Sequence, residues 1–272
     1  MSDKFYGIQA PRGQMDGVEA RLEELSLLGY SVLSEAISTD VMNDWRKRID
    51  AAYEIQVKEF GAERLDSIGE TDICRAPLLY DQAFIDLAIN PRVLEVVSRI
   101  LGNWFILNLQ NAIINRPGRE HHQSAWHRDL PHQNWTISRP LAIGALFVID
   151  EFTETTGATM FLPGSHRNDG IPSQSWIGKY GATLEAPAGS AILFDAMVFH
   201  RAGVNRSQMV RRAVNHLYTV PIMKQQYDFP RAFGNQPSFD SEVLKILGYT
   251  SQTPLDVSAW RLERLRRKGT PN

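Results

Sequence analysis

The sequence predicts a mainly β fold, a closed β-sandwich or jelly roll with helical buttresses. Helical periodicity ends at Gly102, and short apolar or alternating segments separated by glycine and proline turns follow it. No repeat or linker interrupts the 272 residues, so we expect a single domain. We divide it into a helical N-terminal cover at about 18–102, a β core at about 103–222 and a helical tail at 223–272.

The N-terminal cover is expected to contain a helix that ends at Gly29, a short strand, and a second helix that ends near Tyr53. Residues 56–75 are charged and show no clear period. A helix pair then occupies Gln82–Leu101, and Gly102 is the residue type most often found just past a helix end. These helices contain no convergent set of acids, bases or metal ligands, so we expect them to cover one face of a sheet.

Seven strands are predicted in the core, and two short helices in the tail. The strands are placed at Trp104–Asn115, Ser124–Asp129, Leu141–Ile149, Thr159–Leu162, Ser190–Phe194, Phe199–Ala202 and Arg211–Val220. The helices are placed at Glu242–Leu247 and Ala259–Lys268.

Composition excludes several classes of partner. A net charge of −2 gives no electrostatic reason to expect nucleic acid or an anionic membrane as partner. Cys74 is the sole cysteine, so neither an intrachain disulfide nor a thiolate metal cluster can form. No apolar run approaches a bilayer span, and Met1–Gly17 does not resemble a signal peptide, so a cytoplasmic location is expected. The oligomeric state stays open.

The stretch Trp126–Asp129 provides the first chemical signal. Two residues apart on a strand, His127 and Asp129 would project to the same face, about 7 Å apart along the chain. With His200 as a third ligand they would form the two-histidine, one-carboxylate arrangement of non-haem Fe(II) oxygenases. We therefore predict His127, Asp129 and His200 as metal ligands and catalytic residues.

These motifs resemble those of the phytanoyl-CoA dioxygenase family of Fe(II)- and 2-oxoglutarate-dependent oxygenases. The similarity extends from about Leu22 to Tyr249 and is most specific in Trp126–Asp129, in Gly157–His166, and in His200–Ser207 with Arg211. The resemblance implies a double-stranded β-helix core of the jelly-roll or cupin type. It also implies Fe(II) as cofactor, 2-oxoglutarate and O2 as co-substrates, and succinate and CO2 as products.

The distal carboxylate of 2-oxoglutarate needs a cation, and arginine can bind both of its oxygens. Alternation along the last strand does not choose between Arg211 and Arg212; the resemblance selects Arg211, with Arg206 as the other contender. Gln110 and Asn115 resemble positions that line the site in related ectoine hydroxylases. They lie five residues apart, so a regular strand would turn them to opposite faces unless a bulge intervenes.

One departure from the family pattern concerns the co-substrate. Ala202 stands two residues after the second histidine, where members often have a serine whose hydroxyl helps to hold the co-substrate. That hydrogen bond must come from another group or be absent.

The expected activity is hydroxylation of an unactivated C–H bond in a small molecule, whose identity no motif reveals. Candidate substrate contacts are His132 and Trp135, just after the metal motif, with Arg116 and Tyr80 as further candidates. Two alternatives remain open. The chain could be a cupin-type metalloenzyme that does not use 2-oxoglutarate, or a catalytically silent binding module on the same scaffold.

Overall fold

A computed structural model describes residues 15–119, 121–130, 132–234 and 238–269. The part of Met1–Gly17 before residue 15 lies outside these ranges. The described residues form α1 Gly17–Leu28, β1 Tyr30–Leu33, α2 Met42–Phe60, α3 Ala62–Ser67, β2 Ile73–Arg75, α4 Phe84–Ala88, α5 Pro91–Leu101, β3 Ile106–Asn115, β4 Ala142–Val148, β5 Met160–Phe161, α6 Gln174–Tyr180, β6 Ala182–Thr183, β7 Ala191–Asp195, β8 His200–Arg201, β9 Arg211–Thr219, α7 Phe229–Phe233, α8 Ser241–Ile246 and α9 Val257–Gly269.

Two antiparallel sheets form the core. The larger has six strands in the order β1-β7-β4-β9-β3-β2, and the smaller has three in the order β6-β5-β8. Strand neighbours that are distant in sequence, such as β4 beside β9, are typical of a jelly roll rather than of consecutive hairpins. The predicted fold, a jelly-roll core with helical buttresses, is confirmed.

The larger sheet packs on both faces because its side chains alternate between two apolar clusters. Along β4, Ala145 and Phe147 pack with the helices, in one cluster with residues of α2, α4 and α5. Leu146 and Val148 point the other way and pack between the two sheets. The helices therefore cover one face of the sheet, as predicted, while the other face borders the interior where a site can form.

One strand prediction is wrong. Ser124–Asp129 does not form a regular strand: a 3-10 turn occupies His122–Ser124, and His127 makes a single isolated bridge with His200. The backbone there hydrogen-bonds to β8 and to the turn before it, and these partners lie about seventy residues further along the chain. The sequence of Ser124–Asp129 does not show which distant residues its backbone will hydrogen-bond to.

The region that showed no clear period contains three elements. Residues 56–75 hold the end of α2, the short helix α3 and the edge strand β2, which pairs with β3 from Ile73↔Ile113 to Arg75↔Asn111. Helix α6 and strand β6 were also not predicted. None of the helices in the described ranges is both long and apolar enough to cross a membrane.

Candidate active site

Three side chains meet between the two sheets. His127, Asp129 and His200 each offer one ligand atom, and these atoms all lie within 4.8 Å of one another. The two imidazole rings are 4.4 Å apart between centroids, and His200 Nε2 lies 3.5 Å from Asp129 Oδ1. The residues proposed as ligands from the sequence therefore converge on a point where one metal ion can bind.

Backbone hydrogen bonds hold the ligands in this arrangement. The amides of His127 and His200 each donate to the carbonyl of the other at 3.0 Å, so the two histidines lie side by side on neighbouring chains. The Asp129 amide donates to the Ala196 carbonyl at 3.0 Å. Extended backbone with these two anchor points turns both motif side chains inward, which a strand would also have done.

The histidine rings are oriented for metal binding through Nε2. Nδ1 of His127 lies 2.9 Å from the Ala125 carbonyl, and Nδ1 of His200 lies 3.1 Å from the Val198 carbonyl. A carbonyl only accepts, so Nδ1 is the donor in each ring, and Nε2 is the atom left to bind a metal ion.

Unpartnered polar atoms mark the place of the ion. Nε2 of His127 and Oδ2 of Asp129 are buried and have no hydrogen-bond partner within the described ranges. Buried polar atoms are nearly always paired in folded proteins. A divalent cation would satisfy both atoms, so the donor set fits a metal.

The electrostatics of the trio keep the carboxylate charged. Burial raises the pKa of Asp129, but the neighbouring His200 and His127 and the Asn215 amide outweigh it, and the pKa is lowered. Burial lowers the pKa of His200, and the Asp129 carboxylate reverses this and raises it. His127 has a lowered pKa because of burial and of the adjacent His200. A negative carboxylate beside one neutral imidazole is suited to a cation.

A small cavity adjoins the metal ligands. Its walls are mainly apolar, with a few polar groups, which is the usual character of small-molecule sites. It is lined by Ile113, Gln123, His127, Leu146, Thr159, Phe161, Phe194, His200, Ala202, Arg211 and Asn215.

Arg211 supplies the cation of this cavity. Its side chain is buried, its guanidinium lies 4.3 Å from the centre of the Phe152 ring, and its Nε has no partner in the described chain. Burial lowers the pKa of Arg211 to about 10, which still leaves it charged at neutral pH. Arg212 points to the opposite face and forms ion pairs with Asp50 and Asp150. Arg211 is thus available to an anionic ligand, and Arg212 is already neutralised.

Residues 26–213 match the family model described as phytanoyl-CoA dioxygenase. The chain belongs to the phytanoyl-CoA dioxygenase family. This confirms the resemblance inferred from the motifs. Family membership and the His-His-Asp group make the chain, in class, an iron- and 2-oxoglutarate-dependent dioxygenase.

Relatives and solved structures agree with this membership. The chain is 32% identical to an uncharacterized protein of Mycobacterium tuberculosis over 260 residues, which is 91% of this chain and 93% of the relative. It is 24% identical to the ectoine dioxygenase of Nocardia farcinica, over 69% of this chain and 74% of that enzyme.

Two solved structures share its fold. The non-haem α-ketoglutarate-dependent epimerase SnoN matches with a TM-score of 0.58 at 16% identity, covering 75% of this chain and 83% of SnoN. The carbocyclase SnoK matches with a TM-score of 0.57 at 14% identity, covering 77% and 88% respectively.

Asn115 and Gln110, both proposed from the sequence as co-substrate contacts, lie on opposite faces of β3. The register from Gln110↔His216 to Asn115↔Arg211 is continuous, and the one irregularity of this pairing, between Leu107 and Leu109, precedes both residues. Asn115 therefore lies beside Arg211, with its Nδ2 donating to the Gly203 carbonyl at 3.0 Å.

Gln110 faces the helices instead. Its amide accepts from the Leu78 amide at 3.1 Å, donates to the Phe84 carbonyl at 2.8 Å and lies 2.7 Å from His216 Nε2. Gln110 does not line the cavity, because no bulge intervenes to turn it inward. Gln110 is therefore not positioned to contact a co-substrate in this cavity.

None of the four candidate substrate residues lines the cavity around the metal ligands. His132 and Trp135 lie exposed in the loop after the motif. Arg116 pairs with Asp72, and the Tyr80 hydroxyl donates to Glu59 on the outer surface. Their role in substrate binding stays a prediction.

Asn215 is a site residue that was not predicted. It lies on β9 four residues after Arg211, so alternation places it on the same face, and its amide lies next to Asp129. Its Oδ1 has no partner among the described residues. The spacing from Arg211 was the available signal, because a polar residue at a core-facing strand position is unusual.

Proposed function

We propose that the protein hydroxylates an unactivated C–H bond of a small organic molecule. In the overall reaction, substrate R–H, O2 and 2-oxoglutarate give R–OH, succinate and CO2. The observation on which this rests is the convergence of His127, Asp129 and His200 beside a cavity lined by Arg211, whose Nε has no hydrogen-bond partner among the described residues. A metal-only enzyme of the cupin type has no need for that buried cation.

The protein's own residues bind the metal ion, orient the co-substrate and enclose the cavity. His127 Nε2, His200 Nε2 and one Asp129 oxygen would hold the ion on one side, leaving its other positions to the co-substrate and O2. Arg211 would bind the distal carboxylate of 2-oxoglutarate and fix how far the molecule enters the cavity. Bound iron would supply the oxidising chemistry, with 2-oxoglutarate as the source of two of the electrons.

The surroundings of the metal ligands exclude water. Phe161 and Phe194 pack against the His200 ring with centroid separations of 5.6 and 5.0 Å. Gly144 makes room for this packing, since a Cβ there would lie 2.2 Å from the Phe194 ring. An apolar wall strengthens the charge interactions of the ligands and limits unproductive reactions with water.

The type of oxidation is open to direct test. The structural neighbours include an epimerase and a carbocyclase, so one scaffold supports several outcomes. A screen of metabolite pools for substrate-dependent succinate release, followed by mass spectrometry, separates these outcomes. Hydroxylation adds 16 Da to the substrate, desaturation or ring formation removes 2 Da, and epimerisation leaves the mass unchanged. A product without added oxygen would overturn hydroxylation and keep the oxygenase class.

The metal assignment has its own test. His127→Ala and Asp129→Ala should each lose high-affinity Fe(II) or Mn(II) binding, measured by anaerobic titration calorimetry, and should release no succinate. His132→Ala serves as the matched control, because this exposed histidine lies outside the ligand group and should leave metal affinity unchanged. Wild-type metal affinity in both ligand variants would refute the site.

A further inference from the structure

The helix α9 does not pack into the core of the chain. None of its described side chains is buried, and none belongs to an apolar cluster that the structure describes. Leu262 is 57% exposed and Leu265 is 65% exposed. A helix of 13 residues is only marginally stable alone in water, because most helical stability in proteins comes from packing an apolar face. α9 therefore needs a surface to pack against.

One side of α9 is suited to a protein groove rather than to a lipid surface. Ser258, Leu262 and Leu265 follow each other at four- and three-residue spacing, so they lie on one face of the helix. Trp260 lies on the opposite side, where the Arg264 guanidinium lies 4.8 Å from the centre of its ring. A stripe of two leucines is too narrow to hold a helix on a bilayer, whereas it matches the anchors of a helix that docks in a groove.

An open groove lies elsewhere on the surface, between α2, α3 and the 3-10 turn Pro77–Leu79. Its walls carry large apolar side chains that are exposed or half-buried, namely Phe60, Leu65, Ile68, Leu79 and Tyr80. Ile68 is 60% exposed. Single exposed apolar residues are ordinary, but a group of them lining one concave surface is typical of an interaction site.

The helix and the groove carry opposite charges. Residues 54–70, which include the α2 and α3 walls, contain five acidic residues and two basic ones, a net charge of −3. Residues 256–268, which form most of α9, contain five basic residues and two acidic ones, a net charge of +3. Glu59 accepts a hydrogen bond from the Tyr80 hydroxyl at 2.8 Å, which holds an acidic group at the edge of the groove. Complementary charges steer two surfaces together and fix their orientation.

We propose that α9 of one copy docks its Leu262 and Leu265 face in the groove of a second copy of this chain, whose own α9 occupies the groove of the first. Both surfaces are exposed in the single chain, so α9 does not fill its own groove. The result is a two-fold symmetric dimer with two identical helix-in-groove contacts. The proposal is independent of the proposed function, because neither surface includes a metal ligand or a residue that lines the cavity.

The test measures the oligomeric state of the full chain by sedimentation velocity over a range of protein concentrations. The wild type should shift from monomer to dimer as its concentration rises. Leu262→Asp puts an acid on the helix that faces an acidic groove, and Ile68→Lys puts a base in the groove that receives a basic helix. Each change alters both contacts of the dimer and should raise its dissociation constant by about 100-fold or more. Ile222→Lys is the matched control, because this exposed isoleucine lies outside both surfaces.

Mixing the two variants tests the reciprocal arrangement. A heterodimer of Leu262→Asp with Ile68→Lys contains one contact between an unchanged helix and an unchanged groove. The mixture should therefore associate more tightly than either variant does alone. Both variants should keep the wild-type Tm at concentrations where the wild type is a monomer, because both side chains are exposed, so that loss of the dimer is not loss of the fold.

Three results would overturn the proposal. The first is a wild-type chain that stays monomeric at every concentration; cosedimentation of that monomer with phosphatidylserine vesicles would then assign α9 to a lipid surface. The second is a dimer that Ile68→Lys leaves as tight as the wild type, which would place α9 against another surface, such as the α9 of the second copy. The third is a mixture of the two variants that associates no better than either variant alone.

Discussion

At the scale of single residues, two adjacent arginines on β9 differ in their surroundings. Arg211 is buried in the cavity and forms no ion pair with any residue that the structure describes, and Arg212 forms ion pairs with Asp50 and Asp150 at 2.8 and 3.1 Å. Sequence alone left the choice between them open, because alternation gives two faces and does not say which face is the interior. The structure places Arg211 on the inner face.

We expect replacement of Arg211 to weaken co-substrate binding and replacement of Arg212 to lower the stability of the fold. Arg211→Ala should weaken 2-oxoglutarate binding by 100-fold or more, roughly the effect of removing a charged partner of a buried carboxylate. Arg212→Ala should leave that affinity unchanged and lower the free energy of unfolding by about 1–3 kcal/mol, since Asp50 loses its ion pair and Asp150 keeps only the one with Arg46. Calorimetry and thermal unfolding of both variants provide the measurements. Equal co-substrate affinity in the two variants would contradict the assignment.

Asn215 illustrates how a neighbour of the ligands can act without binding the ion. Its amide lies beside Asp129 and lowers the pKa of that carboxyl, and thereby favours the form that binds metal. We expect Asn215→Leu to bind Fe(II) about 10-fold more weakly, since residues that orient metal ligands typically contribute this much. The pH at which half of the metal is released should also move upward. Unchanged affinity and pH dependence would show that Asn215 only fills space.

At the scale of elements, the metal motif is held by a few backbone hydrogen bonds and by the side chain of Arg128 rather than by a regular strand. Arg128, between the two ligands, donates to the Met197 carbonyl at 2.8 Å and to the Asp169 carbonyl at 2.7 Å, and its guanidinium lies 4.0 Å from the centre of the Phe199 ring. It also donates to the carbonyls of Ser165 and Asn168. One buried guanidinium thus joins the motif to the loop after β5 and to the turn before β8.

Replacing this arginine should loosen both the fold and the site. Arg128→Met removes the donors of several buried carbonyls and should lower the unfolding free energy by about 3 kcal/mol, or roughly 5–10 °C in Tm for a chain of this size. Metal affinity should fall as well, because the ligands His127 and Asp129 are the residues on either side of Arg128. Arg167→Met, an exposed neighbour that contacts Ser26, is the control and should change Tm by about 2 °C or less. An Arg128→Met protein with wild-type Tm and metal affinity would show that Arg128 does not hold the metal motif in place.

The same elements show what the sequence could and could not predict. The long strands β3, β4 and β9 were predicted because each is buried on both faces and reads as a continuous apolar or alternating run. The metal motif was placed on a strand that does not form, since its hydrogen-bond partners come from Ala196 and His200. Its inward direction was nevertheless correct, because extended backbone alternates with or without a ladder.

At the scale of the whole molecule, β9 separates two interiors of different chemistry. Its inner face presents Arg211 and Asn215 to the cavity, and its outer face presents His216 and Tyr218 to the helices. Burial lowers the pKa of His216 to about 3, so this residue is a neutral polar group in the helix-covered core. The site therefore lies on the one face of the large sheet that the helices leave free.

This buried imidazole makes the fold sensitive to acid. The folded state keeps His216 neutral down to about pH 3, whereas the unfolded chain takes up the proton near its ordinary pKa of 6.5, so stability is complete above pH 6.5 and falls below it. The loss approaches about 1.4 kcal/mol per pH unit. Asp195 contributes in the opposite direction, because burial raises its pKa from 3.8 to about 6, so between about pH 4 and pH 6 its titration offsets much of the loss from His216.

We therefore expect the Tm of metal-free His216→Gln to rise relative to that of the metal-free wild type as the pH falls from 6.5 to 4. His216→Gln keeps a neutral polar group beside Gln110 and removes the titration of the imidazole, whereas Asp195 titrates in both proteins, so the Tm difference isolates His216 even if the variant is less stable at pH 7. His132→Gln is the control, because an exposed histidine should leave the pH profile unchanged. A Tm difference between His216→Gln and the wild type that does not change with pH would mean that acid sensitivity arises elsewhere, with His127 the next residue to test, since its pKa is also lowered by burial.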